Sequence, residues 1–374
     1  MPTHLAAVSP AKGQPFELQS RPTPKPGPGE LLIAVKSVAL NPADCHMRNY
    51  GLFIPNHPTV IGFDMSGLVL EVGDNVPTTS TDTADGEPGL FFQPGITRVA
   101  AFGAGFWRSC GPDYGAFQER CIVPWQHAIP LADSSMSWNH AATLPVSVEV
   151  PLCAWDVLGF PRMGDTAAPL PERKEALLIW GASSSVGTMG VQSARLMREA
   201  PNAPLAAVYA TAGAANKEYV RSLGADRVFD YKDPGVVDAI VSAAREDGLV
   251  IRNCFLATGQ LAPCQAVLRA FLADDERGEK KSAKIASSPI VPQDAEAVDG
   301  VEVMFLQPST NEGARLEQFR YWLGMWGRKN LAKGVIRPSP EPTVVGKGLG
   351  SINAGLDRLF KGVSCTKLVV EIDE

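Results

Sequence analysis

Between residues 176 and 199 the chain runs from an apolar stretch, Ala176-Leu-Leu-Ile-Trp180, through a turn of small residues, Gly181-Ala-Ser-Ser-Ser-Val-Gly187-Thr-Met-Gly190, into a helix-patterned stretch, Val191 to Glu199. A buried strand that feeds a tight turn and then a helix is half of a βαβ unit. The pattern repeats downstream: Leu205 to Thr211 predicts a strand, Asn216 to Leu223 a helix, and Asp226 to Tyr231 a third strand. Strands that alternate with helices predict an α/β region built on a doubly wound parallel sheet. Small residues in the turn bring backbone N–H groups close to a phosphate, and the helix N-terminus adds a field that favours an anion. The turn is not G-x-G-x-x-G, because Ser183, Ser184 and Ser185 stand where glycines often stand. Their hydroxyls can donate to a phosphate. A tight βα turn that binds nothing has the same local pattern, and the flanking strand and helix weigh against that.

The end of the second strand bears on which nucleotide is bound. An Asp or Glu there would hold a ribose 2′-hydroxyl. Here Tyr209-Ala-Thr-Ala-Gly213-Ala214-Ala215-Asn216-Lys217 has no carboxylate before Glu218. Lys217 and Arg221 are nearby cations, and Asn216 and Tyr231 are neutral donors, a set that favours a 2′-phosphate and hence NADPH. The two cations equally suit a solvated helix face.

Residues 1 to about 150 read differently. Glu30 to Ala39, Met65 to Val72, Thr97 to Phe102 and Gly115 to Val123 are strand candidates separated by Gly and Pro, the pattern of a compact barrel-like β domain. Asn139 to Thr143, Val150 to Leu158, Leu316 to Lys333 and Gly350 to Gly362 read as helices, Val301 to Leu306 and Lys367 to Ile372 as strands, and the charged segment Asp274 to Lys284 as a surface loop.

A length of 374 residues suggests two domains, and 45% apolar with 20% charged residues is an ordinary globular balance. A formal net charge of −6 argues against nucleic acid and anionic membranes as partners. The N-terminal residues lack the pattern of a signal peptide, and no stretch reaches the roughly 18 apolar residues of a membrane span, so a soluble cytoplasmic protein is expected. The seven cysteines are scattered with no C-x-x-C pair, which predicts free thiols rather than a disulfide framework or a zinc knuckle.

Five ordered motifs then carry a resemblance over nearly the whole chain. Val38-Ala-Leu-Asn41-Pro42-Ala43-Asp44 resembles the NP-x-D motif of quinone oxidoreductases and enoyl reductases of the medium-chain dehydrogenase/reductase superfamily. Val60-Ile-Gly62-Phe-Asp64-Met-Ser-Gly67-Leu-Val-Leu-Glu-Val-Gly73 resembles the next signature, followed by Ala141 to Val146, Leu223 to Tyr231 and Lys361 to Val370. Within the superfamily the chain is most similar to fungal trans-acting enoyl reductases that partner polyketide synthases. The resemblance implies a GroES-like β domain joined to a Rossmann domain, an active site in a cleft, and a C-terminal segment that returns to the β domain. The expected division is 1–150 with 338–374 as the GroES-like substrate domain and 151–337 as the Rossmann NADPH-binding domain.

Zinc enzymes of the superfamily place Cys where Asn41 stands and His where Phe63 stands, so no metal is expected here. Reducing a ketone concentrates charge on one oxygen, which a metal stabilises well. Reducing a conjugated C=C spreads charge into an enolate, which a few donors can hold. The resemblance also implies site residues. Ala43, Asp44, Cys45 and His46 would line the nicotinamide, and Ser183, Ser184, Ser185 and Val186 would hold the pyrophosphate. Gly213, Ala214, Ala215 and Asn216, with Tyr231, would surround the 2′-phosphate, and Val363 and Ser364 would close over the cofactor. Pro151, Leu152, Cys153, Ala154, Trp155, Asp156, Val157 and Leu158 would border the substrate.

The sequence departs from the family where His46 replaces a common Lys, Val150 a usual Thr, and Gly213 and Ala215 the Ser and Lys that often grip the phosphate. His46 is the candidate proton donor, with Tyr50 second; His46 bonded to cofactor or backbone, and Tyr50 packed on the cleft wall, are the plainer readings. The expected activity is NADPH-dependent reduction of an enoyl thioester tethered to a polyketide synthase. A stand-alone quinone or enone reductase and a non-catalytic NADPH-binding protein are the alternatives. A transient synthase partner is implied, and monomer or homodimer is left open.

Overall fold

The structure, a computed structural model, describes residues 2–80, 89–132, 135–162, 174–201, 203–272 and 282–372. The chain divides into two compact units, Met1–Val146 with Ser309–Glu374, and Ser147–Pro308.

The first unit is built on a sheet in the order Pro342–Lys347, Lys367–Glu371, Glu30–Ala39, Asp64–Val72, Arg98–Phe102 and Ala128–Pro130, with Arg120–Pro124 also pairing with Glu30–Ala39. All these pairings are antiparallel except that of Pro342–Lys347 with Lys367–Glu371. Glu30–Ala39 is buried along almost its whole length, which explains its near-continuous apolar run. Leu31, Ile33, Val35, Met65, Val99 and Phe117 are among the side chains of the core. A smaller sheet joins Glu17–Pro22, Thr3–Ser9 and Thr59–Val60.

The second unit holds a parallel sheet in the order Arg227–Phe229, Ala207–Thr211, Glu175–Trp180, Val250–Leu256, Ala283–Ser287 and Val301–Phe305. Numbered along the chain this order is 3-2-1-4-5-6, the doubly wound arrangement whose ligand crevice lies where the connections reverse. Helices Ser185–Glu199, Val236–Glu246 and Leu261–Arg269 connect its strands. Val301–Phe305 forms one edge.

Several expectations shift. Regular pairing in the segment 115–123 is confined to Arg120–Pro124; before it, Ala116 and Phe117 donate instead to the carbonyls of Gly62 and Ile61. The helix expected over 316–333 starts at Glu312, capped by Asn311, and widens to π-helical hydrogen bonding over Arg320–Gly327, where Trp322, Leu323 and Trp326 are buried. Of the loop expected over 274–284, residues 274–281 lie outside the described residues, while Ala283 and Lys284 already belong to a strand. The segment 309–337, expected with the nucleotide unit, packs in the first unit: Phe319 stacks on His127 at 4.0 Å and meets Phe102 edge-on at 5.1 Å. One stretch, Trp138–Leu158, is long and apolar enough to cross a membrane, but 78% of its most apolar window is buried inside the fold.

Candidate functional site

In the second unit the turn after Glu175–Trp180 is closed by tight backbone approach. Gly181 takes φ +79°, and its N–H donates to the Thr211 hydroxyl at 3.0 Å. A Cβ on Gly187 would lie 2.4 Å from the Gly181 carbonyl oxygen, so only glycine lets the helix start this close to the turn. Ser184 caps helix Ser185–Glu199 by accepting the Gly187 N–H at 3.1 Å, while Ser183 and Ser185 stay partly exposed beside it and Val186 is buried. The triple serine thus splits its work between a cap and two accessible hydroxyls. A glycine mouth, a capped N-terminus and accessible hydroxyls fit the pyrophosphate of a dinucleotide.

Gly213 to Asn216 form a short turn after the next strand, and a Cβ on Gly213 would lie 3.8 Å from the Tyr231 ring, so these residues do come together. The structure adds a group that the sequence reading missed. Asp230 brings a carboxylate to this turn, accepting the Ala214 N–H at 3.2 Å and the Lys232 N–H at 2.9 Å. The acid is absent from the end of the second strand but arrives from beyond the third. Arg221 is paired with Glu218, and Lys232 lies 5.8 Å from the centre of the Tyr231 ring.

Pro151 to Leu158 lie in helix Leu144–Leu158, and six of the eight are buried. Trp155 donates to Ser193 at 3.0 Å and meets Phe255 edge-on, while Asp156 is held by Arg162 at 2.6 Å. Most of this segment therefore packs the second unit's interior, and Val157 and Asp156 keep partial exposure.

In the first unit helix Pro42–Tyr50 carries Ala43 to His46. Pro42 opens it and the Asp44 carboxylate accepts the Asn41 N–H at 2.8 Å, half of a capping box. Arg48 clamps the helix to Ile352–Phe360 through Asp357 at 2.6 Å and the Asn353 carbonyl at 3.1 Å. Cys45 is buried with its thiol donating to the Leu356 carbonyl, and burial pushes it up to about 12, so it stays a thiol.

Beneath the helix start lies a buried charged cluster. Lys367 Nζ sits 2.9 Å from Asp64 Oδ2 and 2.5 Å from Asn41 Oδ1, and Asn41 Nδ2 donates to the same Asp64 oxygen at 3.1 Å. The other Asp64 oxygen accepts the Val146 N–H at 2.8 Å. Asp44 Oδ1 has no hydrogen-bond partner, and burial, aided by the nearby Asp64 charge, raises the Asp44 carboxyl to about 7, against the Asn41 N–H and the Lys367 ammonium. None of Asn41, Asp64 or Lys367 was singled out as a site residue from sequence; only the tertiary fold joins residue 367 to residues 41 and 64.

His46 and Tyr50, four residues apart on the helix, are both exposed and stack at 5.8 Å. Phe360, which the sequence reading also missed, extends this pair at 6.5 Å from Tyr50 and is 52% exposed. Val363 and Ser364 follow it, exposed, after Gly362 at φ +99°.

Comparison with known proteins places the chain. Residues 27–133 match the alcohol dehydrogenase GroES-like domain. The chain is 38% identical over 99% of its length, and 99% of the relative's, to trans-enoyl reductase tndF of Aspergillus flavipes. It is 40% identical over 83% of its length, and 94% of the relative's, to trans-enoyl reductase tazE of Aspergillus terreus. It belongs to the medium-chain dehydrogenase/reductase family. An alcohol dehydrogenase superfamily protein from Novosphingobium aromaticivorans superposes with a TM-score of 0.73 at 20% identity, covering 99% of this chain and all of the other, a likeness of fold. The GroES-like β unit and the Rossmann-type unit expected from sequence are thus the family's two parts, and membership carries a nicotinamide cofactor and oxidoreductase chemistry with it.

Proposed function

We propose that this medium-chain reductase is a trans-acting enoyl reductase that uses NADPH to reduce the conjugated C=C of a polyketide acyl thioester presented by a synthase, in the cytoplasm. The observation that carries the reading is near-full-length likeness to two proteins named trans-enoyl reductases. When bound, the nicotinamide supplies a hydride to the substrate β carbon.

The chain's own residues supply placement and protons. Ser183 and Ser185 hold the pyrophosphate by hydroxyl donors, while Gly181 and Gly187, whose N–H groups bond to Thr211 and Ser184, keep the turn slim enough for it to approach. Asn216, Lys217 and Tyr231 face the 2′-phosphate. His46 or Tyr50, exposed on the first unit, gives a proton to the enolate α carbon from a ring nitrogen or the phenol oxygen. Asn41 and Lys367 are both engaged with Asp64 and with each other, so the nearby ammonium is not offered to the substrate carbonyl, as suits a delocalised enolate.

The test is loss of reduced-nicotinamide absorbance with crotonyl-pantetheine, run with NADPH, with NADH and against a simple quinone. Turnover of the thioester with NADPH supports the reading. Turnover of the quinone alone replaces it with a stand-alone quinone reductase, and tight NADPH binding with neither activity replaces it with a non-catalytic binder.

A further inference from the structure

Two helices of the first unit, Pro42–Tyr50 and Ile352–Phe360, are tied together at several points. Arg48 reaches Asp357 and the Asn353 carbonyl, and the Cys45 thiol reaches the Leu356 carbonyl at 3.5 Å. On the solvent side of this pair runs a ridge of rings: His46 stacks on Tyr50, and Tyr50 meets Phe360. Tyr50 is 55% and Phe360 52% exposed, and Val363 beyond them is exposed as well. A single exposed ring needs no explanation, but adjoining rings on a braced support are surface that a ligand would cover.

Two cations border the ridge. The Lys12 stem lies beside Gly51, directly after Tyr50; a Cβ on that glycine would stand 3.3 Å from the Lys12 Cγ and Cδ. Lys361 directly follows Phe360. Both lysines are exposed, and among the described residues neither side chain makes an ion pair or a hydrogen bond. The carboxylates of the two helices are already taken, Asp357 by Arg48 and Asp44 by full burial. The surface is thus apolar along its middle and positive at its borders, and it fits a flexible ligand with an apolar middle and an anionic end. A carrier-bound thioester has that composition: its pantetheine arm holds a gem-dimethyl group and ends in a phosphodiester. Under the enoyl reductase reading the cofactor's phosphates fall to the second unit's turns, which leaves the arm's phosphodiester as the anion for the first.

We propose that this ridge is the track on which the phosphopantetheine arm lies, with Tyr50 and Phe360 covering its gem-dimethyl segment and Lys12 and Lys361 taking its phosphodiester. The inference rests on the enoyl reductase reading and adds to it how a carrier-bound substrate is told from a free one. Exposed charge pairs are individually weak and screened by salt, so the discrimination is modest and greatest at low ionic strength.

The experiment compares kcat/KM for crotonyl-pantetheine with that for crotonyl-phosphopantetheine, its phosphate capped as a methyl diester, in the wild type, in Lys12→Gln/Lys361→Gln and in Phe360→Ala. At about 0.01 M salt the wild type should favour the phosphorylated substrate by about 5-fold, and the preference should shrink at about 0.15 M. The double variant should lose the preference while reducing crotonyl-pantetheine as the wild type does, and Lys12→Arg/Lys361→Arg should keep it. Phe360→Ala should slow both substrates by about 4-fold, the worth of one methyl-sized contact, and leave their ratio unchanged. A wild type indifferent to the phosphate overturns the proposal, as does a double variant that slows both substrates equally or a Phe360→Ala enzyme as fast as the wild type. A double variant that keeps the preference but binds NADPH more weakly also overturns it and gives the two cations to the cofactor. If the wild type reduces neither thioester, the enoyl reductase reading fails. Calorimetry with the unacylated phosphopantetheine methyl diester then decides the ridge by itself: binding that weakens in the double variant supports it, and absent or unchanged binding overturns it.

Discussion

The two units present their ligand-facing surfaces by opposite means. The second unit's turn at 181–187 is electrically neutral and works by backbone approach, with a carboxylate only at the far end, on Asp230. The first unit's helix start at 41–46 stands on three buried ionisable groups, Asp44, Asp64 and Lys367. A neutral backbone site fails when an atom is added, because nothing can move aside. A buried charged site fails when a charge is removed, because the remaining partner is stranded in low dielectric.

The largest effect should follow from stranding a charge. Lys367→Met leaves Asp64 buried without its cation, and breaking such a pair costs about 3–5 kcal/mol. Thermal melting should show the first unit's midpoint falling by about 10 °C, and adding Asp64→Asn to the same chain should recover much of that loss. A double variant as unstable as the single one would mean that the ion pair is not what holds the site.

Adding an atom to the second unit comes next. Gly187→Val must push Gly181 and Ala182 away, since its Cβ alone would stand 2.4 Å from the Gly181 oxygen. We expect dinucleotide affinity to fall about 100-fold, near 3 kcal/mol, with calorimetric titration as the check. Unchanged affinity would remove the turn from the cofactor site.

The third prediction uses pH. The folded Asp44 carboxyl is raised to about 7, so the folded state binds its proton more tightly than the unfolded chain does. Its contribution to stability is full below the unfolded value, about 4, and is lost as pH rises to about 7. Asp44→Asn keeps a neutral group at every pH. Denaturant titration should therefore show it more stable than the wild type at pH 8 by about 1–3 kcal/mol, with the difference shrinking toward pH 5. An equal difference at both pH values would count against a titrating Asp44.

The smallest effect concerns nucleotide choice. Asp230→Asn removes a negative charge near the Gly213–Asn216 turn and should raise NADPH affinity relative to NADH several-fold, about 1 kcal/mol, as read by the ratio of the two dissociation constants. A ratio that moves toward NADH would place the ribose elsewhere.

These contrasts also explain what the sequence reveals. The turn at 181–187 is legible because strand, glycines and helix are consecutive. Strand Val250–Leu256 is harder to read because Arg252 and Asn253 interrupt its apolar run, and both side chains reach Glu175 on the neighbouring strand, at 3.5 and 3.4 Å. Asp230 is overlooked by a search along the second strand, since it belongs to the end of the third. Lys367 reads as one more charge at the start of a strand until the fold sets it against Asn41 and Asp64. Phe53 and Cys110, at φ +61° and +53°, give no local sign of left-handed backbone, which in sequence is advertised by glycine or asparagine. The segment 309–337 has a visible apolar face, but periodicity alone does not say which unit that face covers.

The position of Lys367 has a consequence for the order in which the molecule is made. The second unit is one uninterrupted stretch, whereas the first is split around it, with Lys367–Glu371 paired to Glu30–Ala39. During synthesis from the N-terminus the whole of the second unit emerges before the strand that completes the first. Until that strand arrives, Asp64 has no ammonium beside it and residues Ser37 to Ala39 lack their partner on that edge, although Arg120–Pro124 already pairs with Glu30 to Ala34. A nascent chain at that stage must keep the half-built sheet open to water, or shield it by a chaperone, and docking of the late strand is the step that commits the first unit to its buried charges.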